Sequence, residues 1–328
     1  MSAPATMRAV VVDSPGGPEV LTVRDVPVPR AQPGQVLVRV HAFGLNRSEL
    51  HFRRGQASFG SYPRIPGIEA AGVVQDAPGG ELAPGTQVVT LMGGMGRTID
   101  GGYAQYVLVP AAQVIPFTSD LPWDVLGAIP EMLQTAYGTL AVGVRPTAGQ
   151  SLLVRGGTSS IGLTLAVLGK MQGLTVLSTT RSPARTALLD SVGVDHVLID
   201  DGTIAPAVRE PYPDGVDGAV ELVGVNVMRD TLRAVRSGGT VCFTGMLSDQ
   251  WTIPQFYPMD WLPNGVRLTA YSGEAADLPA PVLQDFLDAV ADGRARVPVG
   301  KVYTLDEITQ AHTDMEAGTT GGKGVVVL

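Results

Sequence analysis

Residues 151–181, SLLVRGGTSSIGLTLAVLGKMQGLTVLSTTR, decide how the rest of the chain is read. The stretch predicts a buried strand (Ser151–Arg155), a small-residue turn (Gly156–Gly162), a helix carrying Leu163, Ala166, Val167 and Lys170, and a second strand (Leu174–Thr179). A βαβ unit of about thirty residues with its glycines at the first strand-to-helix turn is the setting a dinucleotide site requires. A helix N-terminus offers unpaired N–H groups and a partial positive charge, so a pyrophosphate can rest there when the side chains are small. The GxGxxG template falls on Gly157, Ser159 and Gly162, with serine in the middle position. Taken alone, this is a weak match that a tight turn of another α/β fold also satisfies. Gly157, Thr158, Ser159, Ser160, Ile161 and Gly162 are the candidate phosphate-binding residues, with Ser159 and Ser160 expected to add hydroxyl donors.

The end of the second strand sharpens this. A site for NAD usually places Asp or Glu there to bind the ribose 2′-hydroxyl. Here Thr179-Thr180-Arg181-Ser182 occupies that place, with Arg185 one helical turn further on. A carboxylate would repel a 2′-phosphate, whereas a guanidinium pairs with it in bidentate fashion. Arg181 and Arg185 therefore make NADPH the expected cofactor, against the plainer alternative of two solvated surface arginines.

At 328 residues the chain is long enough for two domains. Hydrophobic content of 45% against 16% charged residues describes a globular protein. A net charge of −8 gives no general attraction for nucleic acid or an anionic membrane. No basic-then-apolar leader opens the sequence and no apolar run is long enough to span a bilayer, so a cytoplasmic protein is expected. The lone cysteine, Cys242, lies in the apolar run Thr240–Thr244 and reads as a small buried hydrophobe.

Residues 7–120 alternate short apolar or branched runs with Gly/Pro-rich turns, which predicts a β-rich domain built as a partly open barrel or sandwich. Asn46–Gly55 reads as a polar helix and Gly93–Gly102 as a flexible loop. From Trp123 the pattern changes: Trp123–Pro130 and Glu131–Val142 read as two helices, and strands then alternate with helices to Tyr271. Such alternation predicts a doubly wound parallel sheet of about six strands. Gly245, just after strand 240–244, is placed at the cofactor crevice. Residues 1–122 and 273–328 are assigned to the β-rich domain, with the closing strand Gly324–Leu328 returning to it, and 123–272 to the dinucleotide-binding domain.

A series of motifs spans essentially the whole chain: Gly44-Leu45-Asn46-Arg47-Ser48-Glu49-Leu50, Pro66-Gly67-Ile68-Glu69-Ala70-Ala71-Gly72, Gly101-Gly102-Tyr103-Ala104, Gln134-Thr135-Ala136-Tyr137, Gly156–Gly162, Val223-Gly224, and Gly322-Lys323. In this order they resemble the medium-chain dehydrogenase/reductase superfamily, and within it the zinc-independent quinone oxidoreductase branch. The resemblance implies an α/β protein: a GroES-like catalytic domain with a Rossmann domain. It also implies a homodimer formed through the last Rossmann strand, here Val266–Tyr271.

Zinc-dependent alcohol dehydrogenases share that fold, and a catalytic zinc needs three protein ligands, usually from Cys and His. By the resemblance, Asn46 takes the place of the first cysteine, Ile68 that of the histidine and Glu131 that of the second cysteine. Isoleucine cannot bind a metal, so no metal is expected. A hydride acceptor that needs little activation, a quinone or an α,β-unsaturated carbonyl, then fits best. The resemblance implies that Asn46, at the domain interface, donates to the nicotinamide ribose or to the acceptor. It places Thr135 at the nicotinamide carboxamide and makes Tyr62 a candidate proton donor. For Tyr62 a half-wet structural tyrosine is an equal alternative. Glu49 and Arg53, four apart, read as a structural ion pair. Glu131 reads as a helix-start acid or a proton relay, and Lys323 as an exposed turn lysine, with an approach to the cofactor pocket as the second reading. An NADPH:quinone oxidoreductase leads, followed by an NADPH-dependent enoyl or alkenal reductase, then by a non-catalytic NADPH-binding redox sensor.

Overall fold

A computed structural model describes residues 3–57 and 59–328. The chain divides into two compact units, Met1–Glu131 with Glu274–Leu328, and Met132–Gly273. Strands are numbered along the chain.

The second unit holds β8 (Ser151–Arg155), β9 (Thr175–Thr180), β10 (His196–Ile199), β11 (Val216–Glu221), β12 (Val235–Phe243) and β13 (Arg267–Ala270). They form one sheet in the order β10-β9-β8-β11-β12-β13, every pair parallel. Central strands of a parallel sheet are covered on both faces, so they need no alternation. Accordingly, every residue of β8 is buried. The chain runs outward from β8 to β9 and β10, then returns to place β11 on the other side of β8. Such sheets bind ligands outside the carboxyl ends of the strands where the order reverses, which here are β8 and β11.

The first unit holds β1 (Thr6–Val11) and β2 (Thr22–Pro27) as an antiparallel pair. Its larger sheet has β14 (Val299–Tyr303), β15 (Lys323–Val327), β3 (Gln35–Gly44), β4 (Glu69–Asp76), β5 (Gln87–Leu91) and β7 (Val114–Pro116) in that order, with β6 (Tyr106–Pro110) also on β3. Val36, Val38, Val40, Phe43, Tyr103 and Val107 build its core. The closing strand pairs with β3, Val325 opposite Gly44. The expected fold class, a β-rich domain with a doubly wound parallel sheet, is the one observed.

Three local expectations are corrected. The two helices expected at 123–142 are one, Trp123–Gly138, with Pro130 inside it, followed by a wider π-helical stretch, Thr139–Val144. Proline removes a helix donor and crowds the preceding turn. Here the next N–H, that of Glu131, is held by the Glu69 carboxylate at 2.7 Å, and the helix continues. The stretch 93–102, expected as a flexible loop, is packed: Met95 is 1% and Arg97 6% exposed. The polar helix is real but short, Arg47–Arg53, and its residues from Glu49 to Arg53 are buried.

Candidate active site

In the second unit the turn after β8 is shaped by what its glycines must avoid. Gly156 has φ +89, a conformation that favours glycine. A Cβ on Gly157 would lie 1.8 Å from the Ser178 hydroxyl, and one on Gly162 2.6 Å from the Gly156 carbonyl oxygen. The helix Ser160–Met171 thus begins directly against the turn. Its cap is Ser159, whose hydroxyl donates to the Gly156 carbonyl at 2.8 Å and accepts from Gly162 N–H at 3.1 Å. Ser159 was expected to offer its hydroxyl to a ligand; instead the hydroxyl is spent inside the turn, which explains why serine replaces glycine there. The Leu163 N–H bonds the Ser159 carbonyl at 2.9 Å and opens the helical ladder, so the earlier N–H groups of Ser160 and Ile161 face outward from the helix start. Thr158, Ser160 and Ile161 are partly exposed beside them. This turn fits a pyrophosphate.

Arg181 and Arg185 are both exposed just past the end of β9. Arg181 acts electrostatically on Asp200, at the end of β10, whose carboxyl lies below its ordinary range. Burial opposes that shift; the Arg155 hydrogen bonds and charge, more than Arg181, outweigh it. Arg155 is fully buried and bidentate to Asp200 at 2.8 Å, with Asp230 at 2.9 Å. This clamp ties the ends of β8 and β10 to the helix Val225–Ala234. Glu221, at the end of β11, accepts from Val223 and Gly224 N–H at 2.7 and 3.0 Å and from Thr231. Burial pushes its carboxyl up to about 7. Gly245 is a packing glycine: a Cβ there would lie 2.8 Å from the Leu222 carbonyl oxygen. Thr135 is buried and donates to Gln134 at 3.1 Å, while Gln134 reaches the Tyr271 hydroxyl at 2.7 Å.

In the first unit the interest centres on Asn46, Glu49, Glu69, Glu131 and Lys323, all buried. Asn46 precedes the helix Arg47–Arg53 and forms a capping box with Glu49. Its Nδ2 donates to Glu69 at 2.9 Å and, more weakly, to Glu49 at 3.4 Å. Its Oδ1 accepts from the Lys323 ammonium. Glu49 also accepts from the N–H groups of Asn46 at 3.0 Å and Ile68 at 2.8 Å, and burial moves its carboxyl up to about 7. Burial alone would push Lys323 toward neutrality, but Glu69 and then Glu131 outweigh it, and the net direction is upward.

Several expectations change here. Lys323, expected as an exposed turn lysine, is 2% exposed and ion-paired to Glu69 at 2.8 Å and Glu131 at 3.2 Å. A signal for this lay in Glu69 itself, an acid inside the apolar run Ile68–Val74, because a buried carboxylate needs a cation. Arg155, the last residue of an otherwise apolar strand, called for buried acids in the same way. Glu49 and Arg53 find other partners: Arg53 pairs with Glu316 and donates to the Gly16 carbonyl. Tyr62, for which a proton donor and a structural tyrosine are equal expectations, donates a hydrogen bond from its hydroxyl to the Phe52 carbonyl, with its ring stacked on that of Phe52 at 4.7 Å.

These residues do not fit a catalytic zinc. Ile68 carries no donor atom, and the Lys323 ammonium already holds both Asn46 and Glu131.

Residues 32–119 match the family described as alcohol dehydrogenase GroES-like domain, and residues 192–326 match that described as zinc-binding dehydrogenase. The chain is 30% identical to quinone oxidoreductase of Homo sapiens, over 98% of this chain and 97% of the relative. It is 29% identical to that of Rattus norvegicus, with the same coverage of both chains. A solved mycobacterial structure complexed with NADPH shares 26% identity and a TM-score of 0.85, covering 98% of this chain and 100% of that one. Similarity at 30% identity over 98% of the chain shows that it belongs to the quinone oxidoreductase family of the medium-chain dehydrogenase/reductase superfamily.

Proposed function

We propose that this chain is a zinc-independent oxidoreductase that uses NADPH to reduce a quinone-type acceptor. The observation that carries the cofactor choice is the end of β9, where Thr180 and Arg181 stand in place of an acid and Arg185 follows, both arginines exposed. A dianionic 2′-phosphate pairs with guanidinium groups that a ribose 2′-hydroxyl does not require. The Arg155 clamp supports this further by pairing the ionised Asp200 carboxylate, which would otherwise compete for Arg181. The NADPH bound to the mycobacterial relative and the names of the quinone oxidoreductases point the same way.

When bound, a nicotinamide cofactor supplies a hydride. The chain's residues bind and orient. The N–H groups at the start of the helix Ser160–Met171 hold the pyrophosphate, Thr135 holds the carboxamide, and Asn46 offers the Nδ2 hydrogen now on its long contact with Glu49. Tyr62 braces Phe52 rather than supplying a proton. Quinones suit a site without a Lewis acid, because the accepting carbons are already conjugated to an oxygen that takes up charge. Homodimerisation through β13 belongs to the same proposal: β13 is an edge of its sheet, and unpaired edges invite pairing.

A parallel screen of quinones and α,β-unsaturated carbonyls with NADPH and NADH tests the reading. Fastest turnover with NADPH and a quinone is expected. Turnover confined to enones would overturn the acceptor, and preference for NADH the cofactor.

A further inference from the structure

Glu69 is fully buried and Glu131 nearly so. Buried carboxylates persist as anions only beside a cation, whether a metal ion or a basic side chain. In this chain the cation is built in. The Lys323 ammonium has three hydrogens, and three oxygens meet them: Glu69 at 2.8 Å, Glu131 at 3.2 Å, and Asn46 Oδ1. Asn46 and Glu131 are two of the three positions at which the resemblance to zinc enzymes places metal ligands, and Ile68, the third, has no donor. The backbone is shaped for the lysine. A Cβ on Gly44 would lie 2.5 Å from the Lys323 Cε and 2.3 Å from the Glu69 carboxylate.

We infer that Lys323 is a tethered cation: its ammonium takes the position a free metal ion takes elsewhere in this superfamily, balances Glu69 and Glu131, and fixes the amide of Asn46. Lys323 is a positioning residue, and the inference stands apart from the choice of cofactor or acceptor. With the tether cut, the pocket becomes a site for a small alkylammonium or a hard divalent cation.

The test is thermal unfolding of Lys323→Ala alone and with n-propylammonium, n-propanol or Mn²⁺, with metal content measured after dialysis. Lys323→Ala is expected to lose roughly 5–15 °C in Tm. At least half of that loss should return with n-propylammonium or with one equivalent of Mn²⁺, and none with n-propanol, which fills the same space without charge. Wild type and Lys323→Arg should respond to none of the three. A wild-type Tm without added cation, a loss that neither cation repairs, or equal repair by n-propanol would overturn the inference. If Lys323→Ala is not recovered folded, Lys323→Ala/Glu69→Gln/Glu131→Gln decides. Recovery of folded triple variant supports charge balance, and its failure to fold assigns the lysine to packing and overturns the inference.

Discussion

The phenolic hydroxyl of Tyr62 donates to the main-chain carbonyl of Phe52, and the Phe52 ring lies between Tyr62 and the Arg97 guanidinium, which stands 4.8 Å from its centroid. That hydrogen bond gives the hydroxyl a structural role, and phenylalanine would lose it. Tyr62→Phe should therefore lower stability by about 1 kcal/mol, the net worth of one hydrogen bond. Quinone turnover should stay within about twofold of wild type, since no transition-state contact is lost. Urea denaturation beside steady-state assays checks this, and a tenfold fall in kcat would return Tyr62 to the chemistry.

In the proposed function, Arg181 selects NADPH over NADH. Removing a charged hydrogen-bond partner costs about 1.5–3 kcal/mol, so Arg181→Ala should weaken NADPH binding roughly tenfold to a hundredfold. NADH binding should hardly change. Titrations of cofactor fluorescence with both dinucleotides decide it, and equal losses for the two would remove Arg181 from 2′-phosphate recognition.

In the same proposal, Gly162 shapes a turn that both dinucleotides would use. A Cβ there would meet the Gly156 carbonyl oxygen at 2.6 Å and the Gly157 Cα at 2.7 Å, and neither is a flexible side chain. Gly162→Ala must push the helix off the turn, with overpacking worth roughly 1–3 kcal/mol of stability. Affinity for NADPH and NADH should fall together. Intact binding of either would mean that the helix start does not hold the pyrophosphate.

His312 sets part of the acid sensitivity. It is fully buried, 3.1 Å from the Tyr103 hydroxyl, and burial, aided by Arg53, lowers its pKa from 6.5 to about 3. Between those values the unfolded chain binds the extra proton, so the stability His312 contributes is complete above pH 6.5 and is lost as pH falls. At pH 4.5 the loss is about 3 kcal/mol at ~1.4 kcal/mol per pH unit. His312→Leu cannot titrate, so its urea midpoint should fall less than that of wild type between pH 7.5 and 4.5. Parallel falls would show that His312 does not carry this effect.

What the sequence made legible were the local patterns. The run Ser151–Thr180 shows its strand, glycine turn and helix within a few residues of each other, and the alternation of strands and helices beyond it implies the parallel sheet. Buried charge was not legible in the same way. Lys323 looks like a turn residue until β15 is laid against β3 and brings it to Glu69 on β4, and Arg155 looks like a strand end until Asp200 and Asp230 close on it. These partners come from distant segments, and no spacing rule links them. Ser159 marks the same limit on a smaller scale: its size was readable, but the direction of its hydroxyl depends on the turn it closes.

The proposed activity is the zinc-independent reduction of quinones by NADPH. The most direct measurement is the rate of NADPH oxidation by a para-quinone, catalysed by protein dialysed against EDTA, with NADH run in parallel. Undiminished turnover after dialysis and a kcat/KM at least tenfold higher with NADPH than with NADH are expected. Activity lost on dialysis and restored by zinc, or a preference for NADH, would contradict it.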